Sequence, residues 1–108
     1  MIDLILAAAP FALLAVQDPA PLPADWSAEK CDLYQQAFSD ALAAVGPVGL
    51  RPGFLAQNDA FIASGCTTQG TVCAETEAEI ALADLLTIMT MNEGMASTFV
   101  PFGCKAPD

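Results

Sequence analysis

The sequence predicts an all-α fold: a small bundle of three to four short helices stapled by two disulfides. Three observations lead there. Apolar residues recur at three- and four-residue steps in separate runs, and start and stop residues bracket each run. Period-two alternation is absent, and the Ala-rich segments disfavour strands. The 108 residues contain 4 Cys, an even number that in a short exported chain reads as two disulfides.

The elements follow in order. Ile2 to Val16 read IDLILAAAPFALLAV, with Asp3 the only charge. The run has the length of a signal-peptide h-region and is too short for a bilayer-spanning helix. Pro10 in its middle suits a cleaved segment better than a core helix. No Lys or Arg precedes the run, and Asp3 departs from the usual basic start. We read residues 1–17 as a signal peptide cut after Ala15 or Gln17, which makes the mature protein periplasmic or secreted. A buried N-terminal helix of a cytosolic protein and an uncleaved apolar anchor are the alternatives. Residues 18–25, with three prolines between Pro19 and Pro23, form an extended lead-in. The disulfide-stabilised helical domain is 26–108.

In the first predicted helix, 28–45, Ser27 is the N-cap and Glu29 lies in the first turn. Trp26 and Cys31 take the positions of a hydrophobic staple. Cys31, Tyr34, Phe38, Ala41, Leu42 and Val45 form its apolar face, and Gly46-Pro47 stops it. Pro52 opens a second helix, 52–64, with Phe54, Leu55, Phe61 and Ile62 on one side. Asn58-Asp59 is a possible break, and Gly65 closes the segment. Thr76 with Glu79 forms a capping box ahead of the third helix, Ile80 to Met91. Asp84, Thr87 and Thr90 leave it a narrow polar stripe, so it is expected at the buried centre. Asn92 to Gly94 ends or bends it. Met95 to Val100 is a candidate for another turn or two, stopped by Pro101.

Four cysteines allow three pairings. Helices joined by a short turn form an antiparallel hairpin. That brings Cys31 opposite Cys66 at the open end and leaves Cys73 to pair with Cys104. The runner-up joins Cys66 to Cys73 and Cys31 to Cys104.

Composition excludes several functions. Only 3 Lys+Arg stand against 13 Asp+Glu, a net charge of -10, so there is almost nothing to neutralise phosphates and no nucleic-acid partner is expected. The absence of His removes His-based acid–base catalysis and most zinc sites. The closest cysteines have six residues between them, against the two to four of a Cys₄ zinc site. No Cys-x-x-Cys pair is present. Met89, Met91 and Met95 are soft ligands that suit Cu(I), but without His they read as core fillers. Glu75, Glu77 and Glu79 serve a helix start, and their spacing is not that of a calcium loop. Asp40 and Asp59 match no paired-carboxylate motif. Arg51, the only Arg, reads as a surface residue at the hairpin turn. No nucleophile or phosphate-loop motif is present. No catalytic residue, cofactor or metal is therefore expected, and the chain reads as a non-enzyme.

From Val72-Cys73 to Phe102-Gly-Cys104, roughly a third of the chain, a Cys precedes a Thr-initiated helix and a final Cys follows a Phe. This pattern is similar to that of small periplasmic immunity proteins of the type VI secretion kind. The resemblance implies an inhibitor-like role. The leading expectation is a module that binds another protein, and the acidity favours a basic partner. The alternative is a carrier of a small apolar ligand, motivated by Phe54, Phe61, Phe99 and Phe102 around the third helix. No stable membrane span is expected in the mature chain.

Overall fold

The structure is a computed structural model that describes residues 25–104. The predicted signal peptide, most of the lead-in and Lys105 lie outside the described residues. Three helices and two disulfides make up the described fold: α1 (Trp26–Val45), α2 (Pro52–Ala63) and α3 (Glu77–Asn92). No helix among them is long and apolar enough to cross a membrane.

Helix α1 starts earlier than its caps predict. Asp25 takes the N-cap position without a side-chain hydrogen bond, and Ala28 and Glu29 donate backbone bonds to its carbonyl. Ser27 therefore lies inside the first turn, and Trp26 and Cys31 are too far along to act as a staple. Trp26 instead offers its ring to the Lys30 ammonium, 5.9 Å from its centroid. Cys31, Tyr34, Ala37 and Ala41 face inward. Val45, predicted to share that face, is exposed because the core ends before the last turn.

Gly46 ends α1 by donating to the Leu42 carbonyl. The turn that follows packs on the start of α3. Gly49 has φ +90°, and a Cβ there would lie 2.7 Å from that of Ala78. Only glycine meets both demands, the left-handed backbone and the close approach.

Helix α2 runs back along α1 without a break at Asn58. That side chain is fully buried and accepts a hydrogen bond from the Tyr34 hydroxyl, so a polar residue sits at the centre of the hairpin. Its amide nitrogen Nδ2 has no partner among the described residues. The end of α2 is a Schellman motif: Cys66 donates to the Phe61 carbonyl and Gly65 to that of Ile62. Gly65 and Cys66 both have positive φ (80° and 61°). This reversal swings Cys66 onto α1, where it bonds to Cys31 across 35 residues of sequence.

Helix α3 packs antiparallel to α1: Leu33, Ala37 and Asp40 adjoin Met89 and Glu93, and Gly49 adjoins Ala78. Leu82 and Leu86 enter the core, joining Tyr34, Phe54, Phe61 and Phe99. A second Schellman motif ends it, with Met95 donating to the Thr90 carbonyl and Gly94 to that of Met91. Met95 is thereby buried and the chain leaves helix; residues 95–100 form turns rather than another helix. Thr90 is buried as well, its hydroxyl satisfied by the Leu86 carbonyl, so it does not belong to the solvent stripe.

The chain then returns to the lead-in of α3. Val72 donates to the Pro101 carbonyl and Gly103 donates to that of Val72, a parallel bridge between Val72 and Phe102. Cys73 and Cys104 are bonded just beyond it. Both pairs are those the hairpin argument favours. Closing loops of this length contributes on the order of 3–4 kcal/mol each.

Tyr34→Phe removes the hydroxyl and strands Asn58. It is expected to cost about 1–3 kcal/mol in urea unfolding. Adding Asn58→Leu to that variant should recover most of the loss, because burying no polar group is better than burying half a pair.

Candidate functional site

Two features among the described residues have the chemistry to act as a site: a buried charge cluster where the three helices meet, and an exposed face of α3.

The cluster begins with local sequence. Arg51 is held in extended backbone by the turn before Pro52, which places it at the N-cap of α2. Glu79 is the third residue of α3, where the capping box draws it back toward Thr76. Glu79 is fully buried. Its Oε1 accepts from Arg51 Nη2 at 2.8 Å, Arg51 Nε at 3.0 Å, and the backbone N–H groups of Glu75 at 2.8 Å and Thr76 at 3.3 Å. Its Oε2 accepts from the Arg51 backbone N–H at 2.6 Å and from Nε at 2.9 Å. Arg51 also donates from Nη2 to the Cys73 carbonyl and lies 3.5 Å from Glu75 through Nη1. The Thr76 hydroxyl accepts from the Glu79 N–H and donates to the Gly49 carbonyl.

The Arg51 side chain, backed by these N–H donors, outweighs the burial that opposes ionisation. It holds the Glu79 carboxyl down from 4.5 to about 2. A general acid or base working near neutrality needs a pKa near neutrality and a free lone pair. Glu79 has neither. The spacing Thr76–Glu79 already identified the capping box, but the partner is 28 residues away and no local pattern connects them. Arg51 is accordingly not a plain surface residue. Its guanidinium is the half-buried centre of the cluster.

The other expected site residues disperse. Cys31 and Cys66 are buried in their disulfide, whereas Cys104 is exposed and Cys73 half-buried in theirs. No free thiol remains. Two disulfides are compatible with an oxidising, extracytoplasmic compartment. Met95 is buried while Met91 is exposed on α3, so they do not share a face. Asp40 lies beside Met89 and Glu93 in a small cleft between α1 and α3 that does not include Asp59. Phe54, Phe61 and Phe99 are buried in the core, and Phe102 stacks on Phe54 with ring centroids 6.3 Å apart. The clefts on the described surface include one of about 380 Å³ whose lining among the described residues is Asp32, Gln35, Gln36 and Ser39.

The second feature overturns an expectation. Helix α3 is not buried around its circumference. Leu82, Ala83, Leu86 and Thr90 point inward, and the opposite side is open. Along that side lie Glu77, Ile80, Asp84, Ile88 and Met91, each three or four residues from the next, so they form one stripe. Ile80 is 47%, Ile88 58% and Met91 49% exposed. Among the described residues, α1, α2 and the returning segment all pack on its inner side, which is why its apolar excess is left outside.

Family models, curated proteins and solved structures offer no match to this chain.

The Glu79 carboxyl titrates lower in the folded chain than in the unfolded one. Its stabilisation is therefore complete above about pH 5 and is lost as the pH falls from there toward 2. Denaturant titrations across that range should show this fall in the natural protein and a flatter profile in Glu79→Gln. Glu79→Ala should cost about 3–5 kcal/mol at neutral pH, because it strips the carboxylate from the guanidinium.

Proposed function

We propose that this protein is an exported, non-enzymatic module that binds another protein, working in the periplasm or outside the cell. The observation that carries this reading is the exposed stripe on α3. A soluble small domain keeps large apolar side chains in a row on its surface at a cost in solubility, and such rows mark contact surfaces. Scattered single residues would carry no such weight.

Three further observations support it. The charge pair of Arg51 with the buried Glu79 is committed to holding the helices together. The Tyr34 phenol is kept protonated by burial, which pushes its pKa well above the ordinary 10.0. The disulfides stabilise a chain too small for a large core, and they persist where thiols are oxidised. An inhibitor or immunity protein is the sharper form of the same reading, supported by the pattern from Val72 to Cys104. The phenylalanines that motivated apolar-ligand carriage are packed on one another and on Tyr34.

The test is photo-crosslinking in the native host. Benzoylphenylalanine introduced at position 88 is expected to yield a discrete adduct with a second protein of the extracytoplasmic fraction. The same group at Asp59, exposed on α2, should yield none. Absence of any adduct at 88, with the protein exported and oxidised, would reject the binding reading.

A further inference from the structure

The stripe on α3 carries information about what covers it. Its apolar members, Ile80, Ile88 and Met91, extend over 12 residues, about 17 Å along the helix from first to last. Its charged members are Glu77 and Asp84, both exposed. No cation of the described residues lies on it. Arg51 is engaged by Glu79 on the inner side, and Lys30 sits over the rings of Phe99 and Trp26, at 5.1 and 5.9 Å from their centroids. The third basic residue, Lys105, is outside the described residues. Among the described residues the stripe is therefore apolar and acidic, on a chain of net charge -10.

We propose that α3 docks by its outer face into an apolar groove with a basic rim on a partner protein. This rests on the protein-binding reading above and adds the partner's chemistry and the mode of contact. Ile88 and Met91, three residues apart, enter the groove as neighbouring anchors, and Ile80 enters it two turns before Ile88. Glu77 and Asp84 lie in line with these anchors and are met by Lys or Arg side chains that reach in from the rim, which sets orientation and speeds encounter. Charge decides against the competing occupants. A second copy would bring Glu77 and Asp84 against their own kind, and two chains of charge -10 repel one another before contact. An anionic membrane surface is repelled in the same way.

The full-length oxidised protein is titrated with two synthetic helical probes, one built of Leu and Lys and the other of Leu and Glu, and followed by amide and methyl NMR shifts. The Leu/Lys probe is expected to shift Ile80, Asp84, Ile88 and Met91 and leave the exposed residues of α2 unmoved. Ile88→Ser should weaken it about tenfold and Asp84→Asn about threefold. Both positions are exposed, so the fold is retained. Raising salt to about 0.5 M should weaken it further through screening.

Equal binding of both probes at this face would overturn the basic rim and leave the protein-binding reading standing. Failure of either probe to move the face, together with no adduct at position 88, would remove both. Leu/Lys shifts spread over the whole acidic surface and indifferent to Ile88→Ser would also overturn the proposal. So would a dimer abolished by Ile88→Ser, or contacts between Ile88 and residues 2–16 in the probe-free chain, since each names another occupant.

Discussion

The Arg51–Glu79 pair is the contact on which the arrangement of the three helices depends. It joins the residue before α2 to the third residue of α3, and through Thr76 and Gly49 it also binds the turn after α1. Three elements thereby meet at one carboxylate. A buried carboxylate is costly unless its lone pairs are filled, and here the guanidinium and three backbone N–H groups fill them. The helix dipole adds to the effect, because Glu79 lies in the first turn of α3. The same group caps a helix and ties the bundle, so a local motif has become a tertiary one.

The disulfides act at sites the polar cluster does not reach. Cys31–Cys66 closes the end of the α1–α2 hairpin remote from its turn, next to the Tyr34–Phe61–Phe99 aromatic group. Cys73–Cys104 holds the returning segment, whose only regular pairing is the Val72–Phe102 bridge. That segment matters because Phe99, Val100 and Pro101 complete the core. Two Schellman turns make both geometries possible, one directing Cys66 onto α1 and the other burying Met95 and reversing the chain after α3. Gly103 permits the last approach, since a Cβ there would lie 3.0 Å from the Gly70 Cα.

With the Arg51–Glu79 pair and the core aromatic rings committed to the interior, the described surface keeps an apolar row on the outer face of α3. Three helices close a core around the inner side of α3 and leave its outer side with no partner in the bundle. After Met95 the chain turns back into the core, where Met95, Phe99 and Val100 are buried, and does not form a helix over that face. The apolar content of α3, which on sequence grounds belongs to a buried centre, thus becomes a surface property through topology. This is the physical ground for reading the protein by what it contacts.

Much of this was legible in the sequence, and the reasons are local. Pro52 at a helix start, Gly46, Gly65 and Gly94 at helix ends, and Thr76 with Glu79 at a cap each act within a few residues, so helix limits follow from residue type. The α1 start was legible only in part, since Ser27 promised a cap that the backbone took from Asp25. The disulfide pairing followed from hairpin geometry because a short turn forces two helices side by side. What the sequence could not determine depends on contacts between distant residues. Asn58 is buried because Tyr34, 24 residues away, reaches it. Arg51 is structural because Glu79 is. The stripe from Glu77 to Met91 is exposed because no element among the described residues lies over it. A helical repeat states which residues share a face, and only the packing of the other helices decides whether that face meets the core or water.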